Sequence, residues 1–132
     1  MSTRQTFQPR IFDIKEANGL IPQLEKLLVA FEKKYETFKR LQDELFFEEL
    51  LEGSSPPEIR FQELEKALVQ MEEEVEKIQR FGCLLRHLQQ GLVDFLAQKE
   101  GEKIYYCWRR GEKEIGYYHT LRGGFFERRP LH

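Results

Sequence analysis

Two stretches of this chain place apolar residues at alternating steps of three and four, and a segment no helix can traverse lies between them. In the first stretch Ile21, Leu24, Leu28, Phe31, Tyr35, Phe38, Gln42 and Leu45 keep heptad time, with one polar break at Gln42. In the second, Phe61, Leu64, Leu68, Met71, Val75, Ile78, Gly82 and Leu85 repeat the rhythm. Between them run Gly53-Ser54-Ser55-Pro56-Pro57. Gly53 suits the left-handed residue that ends a helix, and paired prolines forbid its continuation. A 3.5-residue apolar repeat buries itself in a seam between paired helices. The pattern therefore predicts a long antiparallel, coiled-coil-like hairpin, with helix 1 over 13–52 and helix 2 over 57–91, each about 50 Å long.

Local signals sharpen the ends. Asp13 with Glu16 has capping-box spacing, and Phe12 with Ala17 can staple the entry. Pro22 lies inside the expected helix and predicts a kink. Gly82 falls on the seam of helix 2, where the absence of a side chain would admit a bulky ring such as Phe31. Gly91 is the expected stop of that helix.

One seam cannot use all the apolar residues. Phe46, Phe47, Leu50, Leu51, Ile59 and Phe61 gather at the hairpin tip. An apolar patch of that size marks an interface. The expected partner is a second copy of the chain, a homodimer in a four-helix arrangement.

After Gly91 the residue types change from Leu, Glu, Lys and Gln to Tyr, Gly, Arg, Trp and Ile. Residues 92–97 read as a strand or as a continuation of the helix. Residues 103–109 are strand-forming in composition, 110–113 make a hairpin loop, and 114–120 return. The fold class is thus α+β, the helical hairpin followed by a small antiparallel meander over 92–120 and an irregular tail over 121–132. On the second strand Ile104, Tyr106 and Trp108 share one face, and Tyr105, Cys107 and Arg109 the other. Which residues of the third strand join Trp108 depends on the register.

The C-terminal residues carry a resemblance. Gly91-Leu92-Val93-Asp94-Phe95, Cys107-Trp108-Arg109-Arg110-Gly111-Glu112, Ile115 with Tyr118-His119, Gly124-Phe125 and Arg128 to Leu131 are similar to the signature of domain-of-unknown-function family 2203. The opening Phe12 to Pro22 resembles that family's start. The resemblance spans nearly the whole chain. It implies a small prokaryotic protein with these boundaries and brings no mechanism. The chain departs from the family pattern at Leu96, where Pro is favoured, at Tyr118, where Trp is, and at Glu127, where Gly is.

Composition excludes several classes. Net charge is −2 over 132 residues, so overall charge does not argue for a nucleic-acid binder or a polybasic membrane anchor. The longest uncharged run, Ala17 to Leu24, falls far short of the roughly 20 residues that span a bilayer. No signal-peptide pattern opens the chain. The two cysteines, Cys83 and Cys107, read as reduced thiols of a cytoplasmic protein, with a thiol ligand or nucleophile at Cys107 as the sharper alternative.

Five polar residues of the signature are the candidate ligand-binding set: Asp94, Arg109, Glu112, His119 and Arg128. If the strands form a meander, Asp94, Glu112 and His119 approach one another. Two carboxylates and an imidazole suit iron, manganese or zinc, so a divalent metal is the one cofactor with a candidate site. Structural roles compete with that reading: Asp94 capping a turn, Glu112 bonding loop amides, His119 held by a backbone carbonyl. Arg109, Arg110, Arg122, Arg128 and Arg129 alternate with aromatic residues. Such a pattern binds nucleic acid in other contexts, but here it lacks any recognised motif and is explained by arginines stacked on rings. No nucleophile elbow, phosphate loop or other catalytic motif occurs. The sequence reading is a non-enzymatic oligomeric scaffold, with a ligand- or metal-binding protein as the alternative.

Overall fold

A computed structural model describes residues 9–132 and shows an α+β protein. A short helix α1 (Ile14–Gly19) precedes two long helices, α2 (Ile21–Glu52) and α3 (Glu58–Gln79). Five strands follow: β1 (Leu84–His87), β2 (Leu92–Lys99), β3 (Glu102–Arg109), β4 (Tyr117–Thr120) and β5 (Arg129–Pro130). Contacts divide the described residues into two compact units, a helical hairpin of Leu27–Glu76 and a sheet unit made of residues 9–26 and Lys77–His132. No helix among the described residues is long and apolar enough to cross a membrane.

In the hairpin unit Leu28, Phe31, Leu41 and Leu45 are buried on α2, while on α3 the buried apolar residue is Ala67, one position before the expected Leu68, and the expected Leu64, Leu68, Met71 and Val75 are half-buried. The seam does not run through Gln42, which is exposed. It shifts back one residue to Leu41, because two successive steps of three bring an apolar side chain inward there. Arg60 of α3 bridges to α2, donating to Glu44 at 3.1 Å and to Glu48 at 2.9 Å. Gly53 takes φ +67° and its amide donates to the Glu49 carbonyl at 3.0 Å, which closes α2 where the sequence indicated.

The sheet unit begins with the capping box. The Glu16 amide donates to the Asp13 carboxylate at 2.7 Å, and the Asp13 amide donates to the Glu16 carboxylate at 3.2 Å. Pro22 produces no kink within a helix. The helix breaks earlier, at Leu20, and Pro22 occupies the first turn of α2, where its missing amide costs nothing.

Helix 2 ends at Gln79 rather than 91. Gly82 takes φ +93°, and its amide donates to the Gln79 carbonyl at 2.9 Å. It is the stop of the helix and not a seam position, and the atoms that a Cβ there would meet belong to Arg10. The chain then enters β1, and Gly91 (φ +65°) turns it into β2. Residues 92–97 are strand. The sheet is an antiparallel meander in the order β1-β2-β3-β4-β5. Its fifth strand lies in the tail expected to be irregular, with Arg129 opposite Tyr118 and Pro130 opposite Tyr117. Glu100 and Gly101 both take positive φ, 53° and 82°, which gives the β2–β3 hairpin the twist of its strands.

The register sorts the faces. Val93, Phe95 and Ala97 lie opposite Trp108, Tyr106 and Ile104, and Tyr106 lies opposite Tyr118. Trp108, Val93 and Phe95 on this face are fully buried, with Phe12 packed edge-on against Phe95 at 5.1 Å. Asn18 accepts the Ile115 amide at 2.7 Å, and Glu25 accepts the Gly111 amide at 3.3 Å, tying α1 and the start of α2 to the β3–β4 loop. The opposite face carries Leu92, Asp94 and Leu96 against Arg109, Cys107 and Tyr105, with His119 opposite Tyr105.

Candidate functional site

On that second face, register makes neighbours of residues far apart in sequence. Asp94 of β2 lies directly opposite Cys107 of β3, and His119 of β4 lies opposite Tyr105, one diagonal step from Cys107. One ligand atom from each of Asp94, Cys107 and His119 falls within 4.8 Å of the other two, and all three residues are buried. Arg86 reaches in from β1, its Nε donating to Asp94 Oδ2 at 2.9 Å.

The imidazole is fixed at both ends. Nδ1 lies 2.7 Å from the Thr120 carbonyl oxygen, so that nitrogen carries a hydrogen and donates it. Nε2 lies 3.0 Å from Asp94 Oδ2. A neutral ring with its hydrogen on Nδ1 turns the Nε2 lone pair toward a carboxylate oxygen, which is repulsive. The pair is satisfied only when a proton or a cation lies between the two atoms.

Burial, above all, pushes the Cys107 thiol up to about 12, and the Asp94 carboxylate beside it adds to the shift. The thiol is therefore protonated near neutrality and a poor nucleophile on its own. A cavity of about 240 Å³ opens over the cluster, lined also by Arg86, Leu92, Leu121, Gly123, Gly124 and Phe125.

The other candidates form a second cluster. Glu112 accepts the Arg109 amide at 2.7 Å and receives Arg128 Nη2 at 2.8 and 2.9 Å on its two oxygens. Arg128 also donates to the Cys107 carbonyl at 3.1 Å and stacks over Tyr117 at 4.0 Å and Phe125 at 4.8 Å. The Trp108 indole donates to the Glu112 carbonyl at 2.9 Å. The Arg109 guanidinium lies over Phe125 at 5.7 Å. These contacts clamp the β3–β4 loop and the tail to the sheet. Of the expected metal trio, Asp94 and His119 meet, while Glu112 is held by Arg128. Cys107 occupies the third place.

The sequence expectation of a helix to 91 takes in Arg86, whose contact with Asp94 follows only from the end of α3 at Gln79 and the pairing of β1 with β2. The cue to Cys107 was its alternation with Trp108 across a strand, which becomes informative only with the register. At the hairpin tip Phe46, Phe47, Leu50, Leu51, Ile59 and Phe61 are all exposed.

A family model described as "Uncharacterized conserved protein (DUF2203)" matches residues 10–131. No curated protein and no solved structure matches the chain.

Proposed function

The chain belongs to the DUF2203 family of uncharacterized conserved proteins, and we propose that its sheet binds a divalent transition-metal ion through Asp94, Cys107 and His119. The observation that carries this reading is the Nδ1 hydrogen bond of His119 to the Thr120 carbonyl. Metal-bound histidines are usually anchored this way through their second nitrogen, which fixes the tautomer and frees the other lone pair for the ion. Here the freed lone pair points to the place where a carboxylate and a thiol converge. An ion there replaces the thiol proton and relieves the contact between Nε2 and Oδ2. Nitrogen, sulfur and oxygen donors together suit zinc or ferrous iron, and three protein ligands beneath a cavity leave a coordination position open. Arg86 orients the Asp94 carboxylate from outside the ligand set.

Loading the purified chain with Co²⁺ tests the reading. Stoichiometric uptake with a thiolate-to-metal absorption band is expected, lost in Cys107→Ser and weakened in His119→Ala. If the wild-type chain takes up no stoichiometric Co²⁺ or Zn²⁺, the three residues are an internal support of the sheet and the proposal fails.

An interaction role through the helices is the second reading, favoured by the exposed apolar tip. Light scattering separates a self-associating tip, which gives a dimer mass, from one that receives a different chain.

A further inference from the structure

The end of the hairpin unit joins an apolar surface to unbalanced negative charge. Phe46, Phe47, Leu50 and Leu51 on α2 and Ile59 and Phe61 on α3 are exposed, from 45% at Phe61 to 81% at Leu51. The two phenylalanines pack edge-on against each other at 6.0 Å. Residues 45–63 hold five glutamates and a single cation, Arg60. That arginine is already engaged by Glu44, Glu48 and Glu63. Glu49, Glu52 and Glu58 are exposed and have no ion pair among the described residues.

Two of these glutamates stand at an unfavourable place. The carbonyl end of a helix carries partial negative charge and is stabilised by cations. The last turn of α2 has no basic residue, and Glu49 and Glu52 lie in it. The tip therefore exposes apolar area that gains by burial, rimmed by Glu49 and Glu52, whose charge gains from an incoming cation, and by Glu58, which the amide end of α3 already favours and which carries no ion pair among the described residues. A second copy brought tip to tip would set unpaired glutamates against their own kind.

We propose that the hairpin tip docks a cationic amphipathic segment of another protein. The partner's apolar ridge covers the phenylalanine–leucine surface, while its Lys or Arg side chains meet Glu49, Glu52, Glu58 and the carbonyl end of α2. This is helix-on-surface recognition with the specificity carried by charge.

Fluorescence anisotropy of a labelled amphipathic Leu/Lys peptide, with a Leu/Glu peptide of equal length as control, tests the proposal on the full chain. The Leu/Lys peptide should bind and weaken with added salt. Both the Phe47→Ser/Leu51→Ser variant and the Glu49→Gln/Glu52→Gln/Glu58→Gln variant should bind it roughly tenfold less tightly. All five positions are exposed, so both variants keep the fold, which circular dichroism verifies. Equal binding of the two peptides, or binding of neither, overturns the proposal. So does a dimer mass that the Phe47→Ser/Leu51→Ser variant loses, which assigns the tip to a second copy.

Discussion

His119 Nε2 lies 3.0 Å from Asp94 Oδ2, and both side chains are almost fully buried, at 4% and 3% exposure. The contact joins β4 to β2 across β3, so it reports directly on the assembled sheet. With chelator present and a proton between Nε2 and Oδ2 in place of a metal, removing Asp94 leaves the imidazole and the Arg86 guanidinium without their shared acceptor. Breaking a buried pair from one side typically costs about 3–5 kcal/mol. Urea denaturation of Asp94→Ala in the presence of chelator should show a loss of that order, reduced toward its low end because Arg86 is half-exposed. A loss below about 1 kcal/mol would show that the pair contributes little to the sheet.

Arg128 holds the tail through several contacts at once. Its Nη2 donates to both Glu112 oxygens and to the Cys107 carbonyl, and its plane covers Tyr117 and Phe125. Lysine keeps the charge and loses the planar fork and the stacking. Arg128→Lys should therefore destabilise the chain by about 2 kcal/mol, close to the effect of Arg128→Ala. Thermal unfolding of the two variants checks this, and a Lys variant as stable as wild type would mean that charge alone matters at this position.

Where chain-local chemistry decides the structure, the sequence was informative. The Asp13–Glu16 capping box, the Gly53 stop and the Glu100–Gly101 turn each depend on residues within a few positions of one another, and each stands where their types indicate. Gln42 and Leu41 show the limit: both fit a helical face, and which one is buried depends on the partner helix. Leu84-Leu85-Arg86-His87 fits a helical period as readily as a strand, and its pairing with β2 settles the matter. The candidate site was half legible. Asp94 and His119 could be named from residue type, but a one-residue slip in register would have sent Cys107 to the opposite face. The pairing of Asp94 with Cys107 is a tertiary fact.

Cys83 provides a pH dependence with a definite sign. Its thiol donates to the Ile78 carbonyl at 3.4 Å, and burial pushes it from the ordinary thiol value of 9.0 up to about 12. The unfolded chain therefore releases this proton before the folded chain does. The stability tied to the neutral thiol is fully present below pH 9 and is lost as pH rises toward 12, at up to about 1.4 kcal/mol per pH unit. Cys83→Ala should show a shallower alkaline decline than wild type in urea titrations between pH 9 and 10.5. Native Cys83 should also resist Ellman's reagent at pH 8 until denaturant is added. Rapid labelling of that thiol in the folded chain would contradict its burial.

Gly82 separates the two placements of the β1 boundary by the sign of one substitution. Had it lain inside a helix, Ala would stabilise the protein by roughly 1 kcal/mol. It lies instead at φ +93°, which L side chains rarely adopt, and an added Cβ comes 2.9 Å from Arg10 Cγ. The arginine can move aside, since its guanidinium end is half-exposed. The backbone cannot relax without unwinding the turn that leads from α3 into β1. Gly82→Ala should therefore destabilise the chain by about 1–2 kcal/mol in equilibrium denaturation. Arg10→Ala in the same background should recover only the smaller steric share, because the strain resides in the dihedral angle. A Gly82→Ala variant more stable than wild type would place this residue back inside α3.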